Sequence, residues 1–278
     1  MKNKPSIQFF STRPHEVAIL LVIAGLFFVP FLWMLFSSVD AAARLDIRWP
    51  LHPTLDNFAR IVGNPANQGA FFNGLVMSFS VASLVVVISL FCAYPLSRFH
   101  LGFEGPFLYG LLFLTGLPIA ALMMPTYMIF FSLGWLDSLF FTTLFLVATS
   151  LPYSIWMMKS FLDGVSGELE EAAAIDGASV FQVVTKVIVP LIVPGLFVVF
   201  IFVFLGVWGN FFVPFILLNS VEKLPPAVTI YQFFSSYGRV NFGELAAYSA
   251  LYTTPVLVLY VVAQRFMTKG YILSGAVK

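Results

Sequence analysis

Hydrophobic residues are distributed along this chain in long stretches that contain no Asp, Glu, Lys or Arg. A hydrocarbon core of about 30 Å requires about 20 helical residues, and charged side chains inside it are energetically costly. Six of the uncharged stretches reach this length, namely residues 17–39, 61–97, 105–136, 138–158, 187–221 and 245–264. The pattern therefore predicts an all-α polytopic membrane protein with six transmembrane helices, in which residues 1–278 form a single domain.

The first uncharged stretch follows a basic N-terminal segment, as in a signal peptide, and residues 41–43 resemble a cleavage site. The apolar region of a signal peptide is about 7 to 15 residues long. Residues 17–39 are longer than that and can span a membrane. We therefore expect them to form the first transmembrane helix.

Lys and Arg are unevenly divided between alternate loops, and they are enriched in the cytoplasmic loops of membrane proteins. One set of loops carries nine of them: Lys2, Lys4, Arg13, Arg98, Lys159, Lys186, Arg265, Lys269 and Lys278. The other set carries five: Arg44, Arg48, Arg60, Lys223 and Arg239. Both termini and the polar segment 166–190 are therefore predicted to be cytoplasmic, and segments 40–73 and 220–244 are predicted to be extracytoplasmic loops.

Composition agrees with a membrane protein, because 60% of the residues are hydrophobic and 10% are charged. The mean hydropathy is +0.95. A net charge of +1 gives no basic surface for nucleic acid. The single Cys92 excludes an internal disulfide, and the three histidines, His15, His52 and His100, are too far apart in the sequence to predict a metal site.

The polar segment at residues 166–190 reads as two short helices joined by a fixed turn. Ser166 can cap the first helix, and Gly177 can end it in a left-handed conformation. Ser179 and Gln182 have the spacing of a capping box that begins a second helix. Residues 172–174 are alanines, which give a small-residue surface that another protein can approach closely. An amphipathic helix lying on the membrane would favour Lys and Arg, whereas this segment is acidic, so docking to a protein is favoured.

A family resemblance rests on the same segment. Glu171, Ala172 and Ala173 are followed three residues later by Gly177, and then by a hydrophobic run that ends at Pro190. This resembles the EAA signature of permease subunits of bacterial ABC importers, with valines at 187 and 189 in place of isoleucine and leucine. The run 175–179, Ile-Asp-Gly-Ala-Ser, is similar to the carbohydrate-importing, MalG-like branch, as are residues 93–98, 151–153 and 264–278.

The resemblance implies an ABC importer permease of MetI-like fold, multi-pass in the bacterial inner membrane. It implies four kinds of partner: a second homologous permease that completes a heterodimer, a dimer of ATPase subunits, an extracytoplasmic solute-binding protein and the lipid bilayer. The chain itself is then no enzyme and holds no cofactor, because ATP and Mg are bound by the ATPase. The residues that would form the coupling helix and turn in a groove of that ATPase are Glu171, Ala172, Ala173, Asp176 and Gly177.

Energy for transport is expected from outside the chain. The six uncharged stretches leave no Asp, Glu, Lys or Arg in the membrane, where ion-coupled carriers commonly place one. The sequence also lacks a phosphate-binding loop of the G-x-x-x-x-G-K-[ST] type.

Candidate solute contacts are polar or amphipathic residues in or near the third to fifth spans: Asn210, Trp208, Tyr153, Ser150 and Tyr127. Packing between helices is the alternative role for each of them. Residues 208–211, Trp-Gly-Asn-Phe, also depart from the usual Trp-Asn-x-Phe of the family. Two other functions stay open at this point: import of another polar solute such as an amino acid or polyol, and a membrane-embedded enzyme or scaffold.

Overall fold

The computed structural model describes residues 14–46, 49–50, 53–235 and 240–275. Several residues used in the charge and histidine arguments lie outside these ranges: Lys2, Lys4, Arg13, Arg48, His52, Arg239 and Lys278. Both chain ends, and with them the predicted cytoplasmic location of the termini, also lie outside the described residues.

The described residues confirm the predicted all-α fold. The eight helices before residue 209 are α1 (Pro14–Ser38), α2 (Asp56–Gly63), α3 (Pro65–Arg98), α4 (Glu104–Thr115), α5 (Ile119–Leu133), α6 (Leu139–Asp163), α7 (Glu168–Ile175) and α8 (Val180–Trp208). Shorter helical segments follow at Phe212–Leu217, Val221–Lys223, Pro226–Thr229 and Gln232–Ser235, before a long C-terminal helix, Phe242–Gly275.

Five helices are long and apolar enough to cross a membrane: α1, α3, α6, α8 and Phe242–Gln264 of the C-terminal helix. The sixth predicted span, residues 105–136, is not one straight helix, because α4 and α5 meet at a bend of 90°. Gly116 ends α4, and Pro118 stands immediately before α5. Proline has no N–H to donate and disfavours helical geometry in the residue before it, so the helix breaks there. Counting this bent pair as one span gives the six that the sequence predicts.

The fifth predicted span also has different bounds. Helix α8 begins at Val180 and ends at Trp208, and the helical segment Phe212–Leu217 follows a short break. The side-chain oxygen of Asn210, one residue before the N-cap Phe211, accepts the N–H of Val213 at 3.0 Å, so a side-chain hydrogen bond stabilises the break.

Part of the predicted extracytoplasmic loop 220–244 is buried against a membrane helix. Residues 225–229 are buried, and the helical segment Pro226–Thr229 packs against α3. The close approach occurs at Gly74, where an added Cβ would lie 2.4 Å from Cδ of Pro226. Only glycine leaves room for the proline ring at this point.

The chain divides into two compact units, and its assignment to a single domain stays a prediction. The first unit comprises Met1–Ile61 and Phe233–Leu251. Within it the Asn57 side-chain amide donates to the carbonyl oxygens of Ser38 and Asp40, both at 3.1 Å. An exposed ion pair joins Arg60 and Glu244 at 3.0 Å.

The second unit comprises Val62–Gln232 and Tyr252–Lys278. Its hydrophobic core forms where α3 packs against α6 and α8. Fully buried side chains from all three helices meet in it: Val81, Val85, Met158, Leu162, Val199 and Phe204. This core fixes the ends of α3, α6 and α8, and the polar segment joins the last two of these helices.

Candidate functional site

Helix α7 carries three carboxylates in its first turn, where they complement the partial positive charge of unpaired N–H groups. Its N-cap position is Gly167 rather than the predicted Ser166. Ser166 still contributes, because its hydroxyl oxygen accepts the N–H of Glu168 at 3.4 Å. The predicted cap is therefore correct in its chemistry and displaced by one residue.

Helix α7 ends in the predicted glycine turn. Gly177 has φ +83, in the left-handed region. The N–H of Ala178 bonds to the carbonyl oxygen of Ala173 and that of Gly177 to the carbonyl oxygen of Ala174, both at 3.0 Å. This pair of bonds is the Schellman motif, which satisfies carbonyl groups that a helix end leaves unpaired. The prediction of a fixed turn at Gly177 is confirmed.

The second helix begins with the predicted capping box. The hydroxyl oxygen of Ser179 accepts the N–H of Gln182 at 3.4 Å, and the Gln182 side-chain oxygen accepts the N–H of Ser179 at 2.9 Å. Helix α8 then widens into a π turn at Val183–Ile188. Pro190 lies two residues after this turn, and a proline ring would collide with the carbonyl four residues earlier in a regular α-helix. The wider turn relieves that collision.

Large apolar side chains are exposed on the two helices and their turn: Leu169, Ile175, Val180 and Phe181. The ring of Phe181 stacks against that of Phe91 on α3, with ring centroids 6.4 Å apart. Ile175 is 86% exposed. The same segment carries three exposed carboxylates, those of Glu168, Glu171 and Asp176. We call these seven residues the coupling surface, after the coupling helix that the family resemblance predicts in this segment. Large apolar side chains left exposed among polar ones are typical of a protein docking site.

The three alanines of the EAA segment do not share one surface as the sequence predicted. Ala172 and Ala174 are exposed, but Ala173 is half-buried and packs against the hydrophobic core. The reason is the helical period, which turns every third or fourth residue of α7 toward the protein. Glu171 and Ala172 are therefore exposed, as are Asp176 and Gly177, whereas Ala173 packs α7 onto the hydrophobic core.

Glu170 lies on the inner side of α7 and contacts the end of α3. The Tyr94 hydroxyl donates to its carboxylate at 2.8 Å, and Arg98 forms an ion pair with the same carboxylate. The Arg98 and Glu170 side chains are only 14% and 11% exposed. Arg98 also donates to the carbonyl oxygens of Leu162 and Val165, at 3.0 and 3.1 Å. One guanidinium thus joins α3, the end of α6 and the beginning of α7.

A second polar contact reinforces this junction. The Ser97 hydroxyl donates to the Asp163 carboxylate at 2.6 Å, and Lys159 pairs with that carboxylate at 2.7 Å. The sequence predictions missed both networks. The only indication in the sequence was the run 93–98, which resembles the family. That resemblance does not show which carboxylate Tyr94, Ser97 or Arg98 contacts.

Three of the five residues predicted to contact the solute form side-chain hydrogen bonds with other groups of this chain. The Trp208 indole is buried, and its N–H donates to the carbonyl oxygen of Tyr252 at 3.1 Å, while the Tyr252 hydroxyl donates back to the Trp208 carbonyl at 2.8 Å. The Ser150 hydroxyl donates to the Leu146 carbonyl at 2.7 Å, and the Asn210 side-chain oxygen accepts the Val213 N–H. These contacts favour packing as the role of all three residues.

Tyr127 and Tyr153 remain exposed, at 41% and 44%. Tyr127 lines an apolar pocket of about 450 Å³ together with Met123, Met124, Met128 and Phe212. Tyr153 instead contacts the ring of Phe202, with centroids 6.4 Å apart. The structure does not gather the five candidates around one cavity, and their contacts with a solute stay predictions.

Within the described part of the chain, no three His, Cys, Asp or Glu side chains are grouped so that they could hold a metal ion.

Known transport system permeases are similar to this chain over nearly its whole length. A permease protein of the sulfoquinovosyl glycerol transport system of Agrobacterium fabrum is 30% identical, covering 96% of this chain and 95% of that protein. The trehalose/maltose transport system permease protein MalG of Thermococcus litoralis is 29% identical, covering 94% of each.

A solved structure shares the fold. It is a bacterial ABC transporter involved in the import of the acidic polysaccharide alginate, matched with a TM-score of 0.75 and 21% identity over 89% of this chain and 94% of that one. This likeness confirms the predicted importer permease fold.

Residues 86–269, more than half of the chain, match a family described as the binding-protein-dependent transport system inner membrane component. The match includes α7, the turn at Gly177 and the Arg98 junction. It confirms the family resemblance and the inner-membrane location, and it decides for transport over a membrane-embedded enzyme or scaffold. This chain therefore belongs to the family of binding-protein-dependent transport system inner membrane components.

Proposed function

We propose that this chain is the permease subunit of an ABC importer and forms half of the translocation path for a carbohydrate or related polyhydroxyl solute. The solute class is supported by the relatives, whose names refer to sulfoquinovosyl glycerol and to trehalose and maltose. Import of another polar solute, an amino acid or a polyol, is the alternative, because the EAA signature is shared beyond the sugar importers.

The coupling surface is the observation that carries the proposal. Its exposed apolar residues lie in a segment predicted to be cytoplasmic, where a soluble partner protein can reach them. A groove with apolar walls and Lys or Arg at its edge would bury Ile175 and Phe181 and pair with the exposed carboxylates. We assign this groove to an ATPase subunit that binds ATP and Mg²⁺. A second permease and an extracytoplasmic solute-binding protein complete the proposed assembly.

The contacts beneath the coupling surface suggest how force is transmitted. Arg98 links α7 to the ends of α3 and α6, and Ala173 packs α7 onto the core. Packed and hydrogen-bonded elements move together rather than deforming continuously. A displacement of α7 by the ATPase would therefore carry the cytoplasmic ends of these membrane helices with it.

ATP-driven uptake tests this function directly. The chain would be reconstituted in proteoliposomes with its ATPase, second permease and solute-binding protein, and uptake of labelled trehalose, maltose, a polyol and an amino acid would be compared. We expect uptake of a sugar that requires both ATP and the binding protein. Uptake of the amino acid alone would support the alternative solute class.

A matched pair of variants tests the coupling surface. Ile175→Asp places a charge in the proposed apolar contact, and we expect it to abolish stimulated ATPase activity and uptake. Leu45→Asp makes the same kind of change at a residue that is 74% exposed in the predicted extracytoplasmic loop 40–73, and it should leave both activities intact. Normal ATPase stimulation in Ile175→Asp would contradict the assignment of this surface.

A further inference from the structure

The segment that follows α1 in the first unit returns to the end of that helix. Asp40 and Pro53 form an antiparallel bridge, and the N–H of Thr54 donates to the Val39 carbonyl oxygen at 2.8 Å. Both ends of the segment are therefore fixed beside the last residue of α1, Ser38.

Two contacts hold the interior of this segment against the last two turns of α1. The Trp33 indole N–H donates to the Arg44 carbonyl oxygen at 3.2 Å. The ring of Trp49 contacts that of Phe36, with centroids 5.1 Å apart. Because α1 ends at Ser38, Trp33 and Phe36 lie about 8 and 3 Å before its end along the helix axis. Arg44 and Trp49 therefore lie back along the helix instead of beyond its end.

The end of α1 also marks the edge of the hydrocarbon core. The helix is 25 residues long, which corresponds to about 37 Å, whereas the core is about 30 Å thick. The first charged residue after the span is Asp40, two residues beyond the helix end. The last turn of α1 therefore reaches the boundary between acyl chains and headgroups, and the contact with Phe36 places Trp49 at this depth.

Trp49 presents a large amphipathic surface at that boundary. Its side chain is 72% exposed, although one side of the ring contacts Phe36. Leu35, in the same turn of α1 as Phe36, is exposed as well, so the apolar surface of Trp49 continues that of the membrane helix. Tryptophan is enriched at membrane interfaces because its ring is apolar while its N–H bonds to water and headgroups.

We infer that Trp49 is a lipid-contacting residue, whose indole lies between the headgroups and the acyl chains of the leaflet in which α1 ends. A soluble protein would have to enter the headgroup region to reach an indole at the depth of Phe36. Interfacial tryptophans fix the position of a helix relative to the bilayer. Trp49 therefore sets the depth of α1, a role that is independent of the solute and of the ATPase.

Depth-dependent fluorescence quenching tests this contact. The full chain is reconstituted in liposomes of phosphatidylcholine that carries bromine at shallow or at deep positions of its acyl chains, and acrylamide is added separately to the water phase. The signal of Trp49 is the difference between wild type and Trp49→Phe, and Trp49→Tyr gives a second difference. Trp135→Phe makes the same change at a ring stacked on Phe141 at 4.3 Å and serves as the control.

We expect shallow bromines to quench Trp49 more strongly than deep bromines do, with a depth of about 15 Å from the bilayer centre. Both substitutions of Trp49 should remove this shallow component of the quenching. Trp135→Phe should retain it, because the control leaves Trp49 in place.

Three results would overturn the inference. Quenching of Trp49 by acrylamide but not by brominated lipid would place the indole in water, and quenching by deep bromines alone would place it inside the hydrocarbon core. Loss of the lipid quenching when the second permease or the solute-binding protein is added would show that a protein covers Trp49. Retained quenching in the presence of both proteins supports lipid as the occupant.

Discussion

Arg98 and Glu170 form a largely buried ion pair that ties the end of α3 to the first turn of α7. Among the three carboxylates of that turn, Glu170 alone points inward, while Glu168 and Glu171 stay exposed. A helix that is held on one face and free on the other can dock a partner without losing its own position. The pair therefore belongs to the coupling site although neither residue lies on its surface.

Removing the carboxylate of Glu170 should destabilise the protein. Glu170→Ala leaves the Arg98 guanidinium largely buried without its counter-charge, which costs about 3 kcal/mol in comparable cases. Thermal unfolding in detergent, monitored by intrinsic fluorescence, measures the change. Glu168→Gln, at an exposed position of the same turn, should stay within about 0.5 kcal/mol of wild type. Equal effects of the two substitutions would contradict the buried pair.

Substitutions at Gly177 should rank by their tolerance of the left-handed conformation. An added Cβ meets nothing within 4 Å, so backbone conformation alone sets the cost. We expect Asn to be tolerated best, Ala to cost about 1 kcal/mol and Val to cost more. Uptake and stimulated ATPase activity should fall in the same order while membrane insertion, measured by immunoblot of membrane fractions, stays constant. Wild-type activity in Gly177→Val would argue against a coupling role.

Two glycines of α3 should respond to alanine in opposite directions. Gly74→Ala forces the Pro226 ring to move from its 2.4 Å approach, and overpacking of this kind costs about 1 to 3 kcal/mol. Gly69→Ala meets no atom within 4 Å and should stabilise the helix by about 0.5 to 1 kcal/mol. The difference in unfolding temperature between the two variants is the measurement. A stabilised Gly74→Ala would show that residues 225–229 do not pack on α3.

The hydrogen bonds between Asp137, which lies between α5 and α6, and residues 217–223 should make stability depend on pH in the acid range. Hydrogen bonds from Lys223, from the Ser220 hydroxyl and from the backbone of residues 219 and 220 hold the pKa of the Asp137 carboxyl well below its ordinary value of 3.8. Because the pKa is lower in the folded state, this contribution is fully present above about pH 4 and is lost as the pH falls toward the folded pKa.

Unfolding temperatures of wild type and Asp137→Asn in detergent between pH 3 and pH 7 test this sign. The difference between them should be constant from pH 5 to pH 7 and should shrink below about pH 4. Asp46→Asn reports any general effect of removing a carboxylate. A difference that grows as the pH falls would contradict the Lys223 contact.

Trp208 should act in stability rather than in solute recognition. Trp208→Phe keeps a ring against Tyr252 but loses the indole N–H bond, which contributes about 1 kcal/mol. We expect a lower unfolding temperature and an unchanged solute concentration for half-maximal uptake. Tyr252→Phe removes the reciprocal bond and should behave alike. A changed solute concentration for half-maximal uptake, with an unchanged unfolding temperature, would instead support a role of Trp208 in contacting the solute.

Features that depend on neighbouring residues could be predicted from the sequence. The turn at Gly177 and the Ser179 capping box each involve residues within five positions, and their chemistry is local. The uncharged stretches likewise identified the spans because the bilayer imposes a length and a polarity on each helix.

Features that depend on tertiary packing could not be predicted in this way. Arg98 and Glu170 are 72 positions apart, and three carboxylates in the first turn of α7 were equal candidates for its partner. The size of the bend between α4 and α5 could not be predicted either, because Pro118 is one of several prolines in the apolar stretches and hydropathy does not respond to backbone direction.

The π turn at Val183–Ile188 sets the rotation between the coupling surface and the membrane part of α8. A π turn holds one residue more than the α-helical turn that it replaces, and one residue corresponds to about 100° around a helix axis. Deleting a single residue from this turn would restore regular α-helix and swing α7 to another side of α8. Glu170 would then no longer face Arg98, so the length of this segment is as much a part of the coupling site as the identity of its residues.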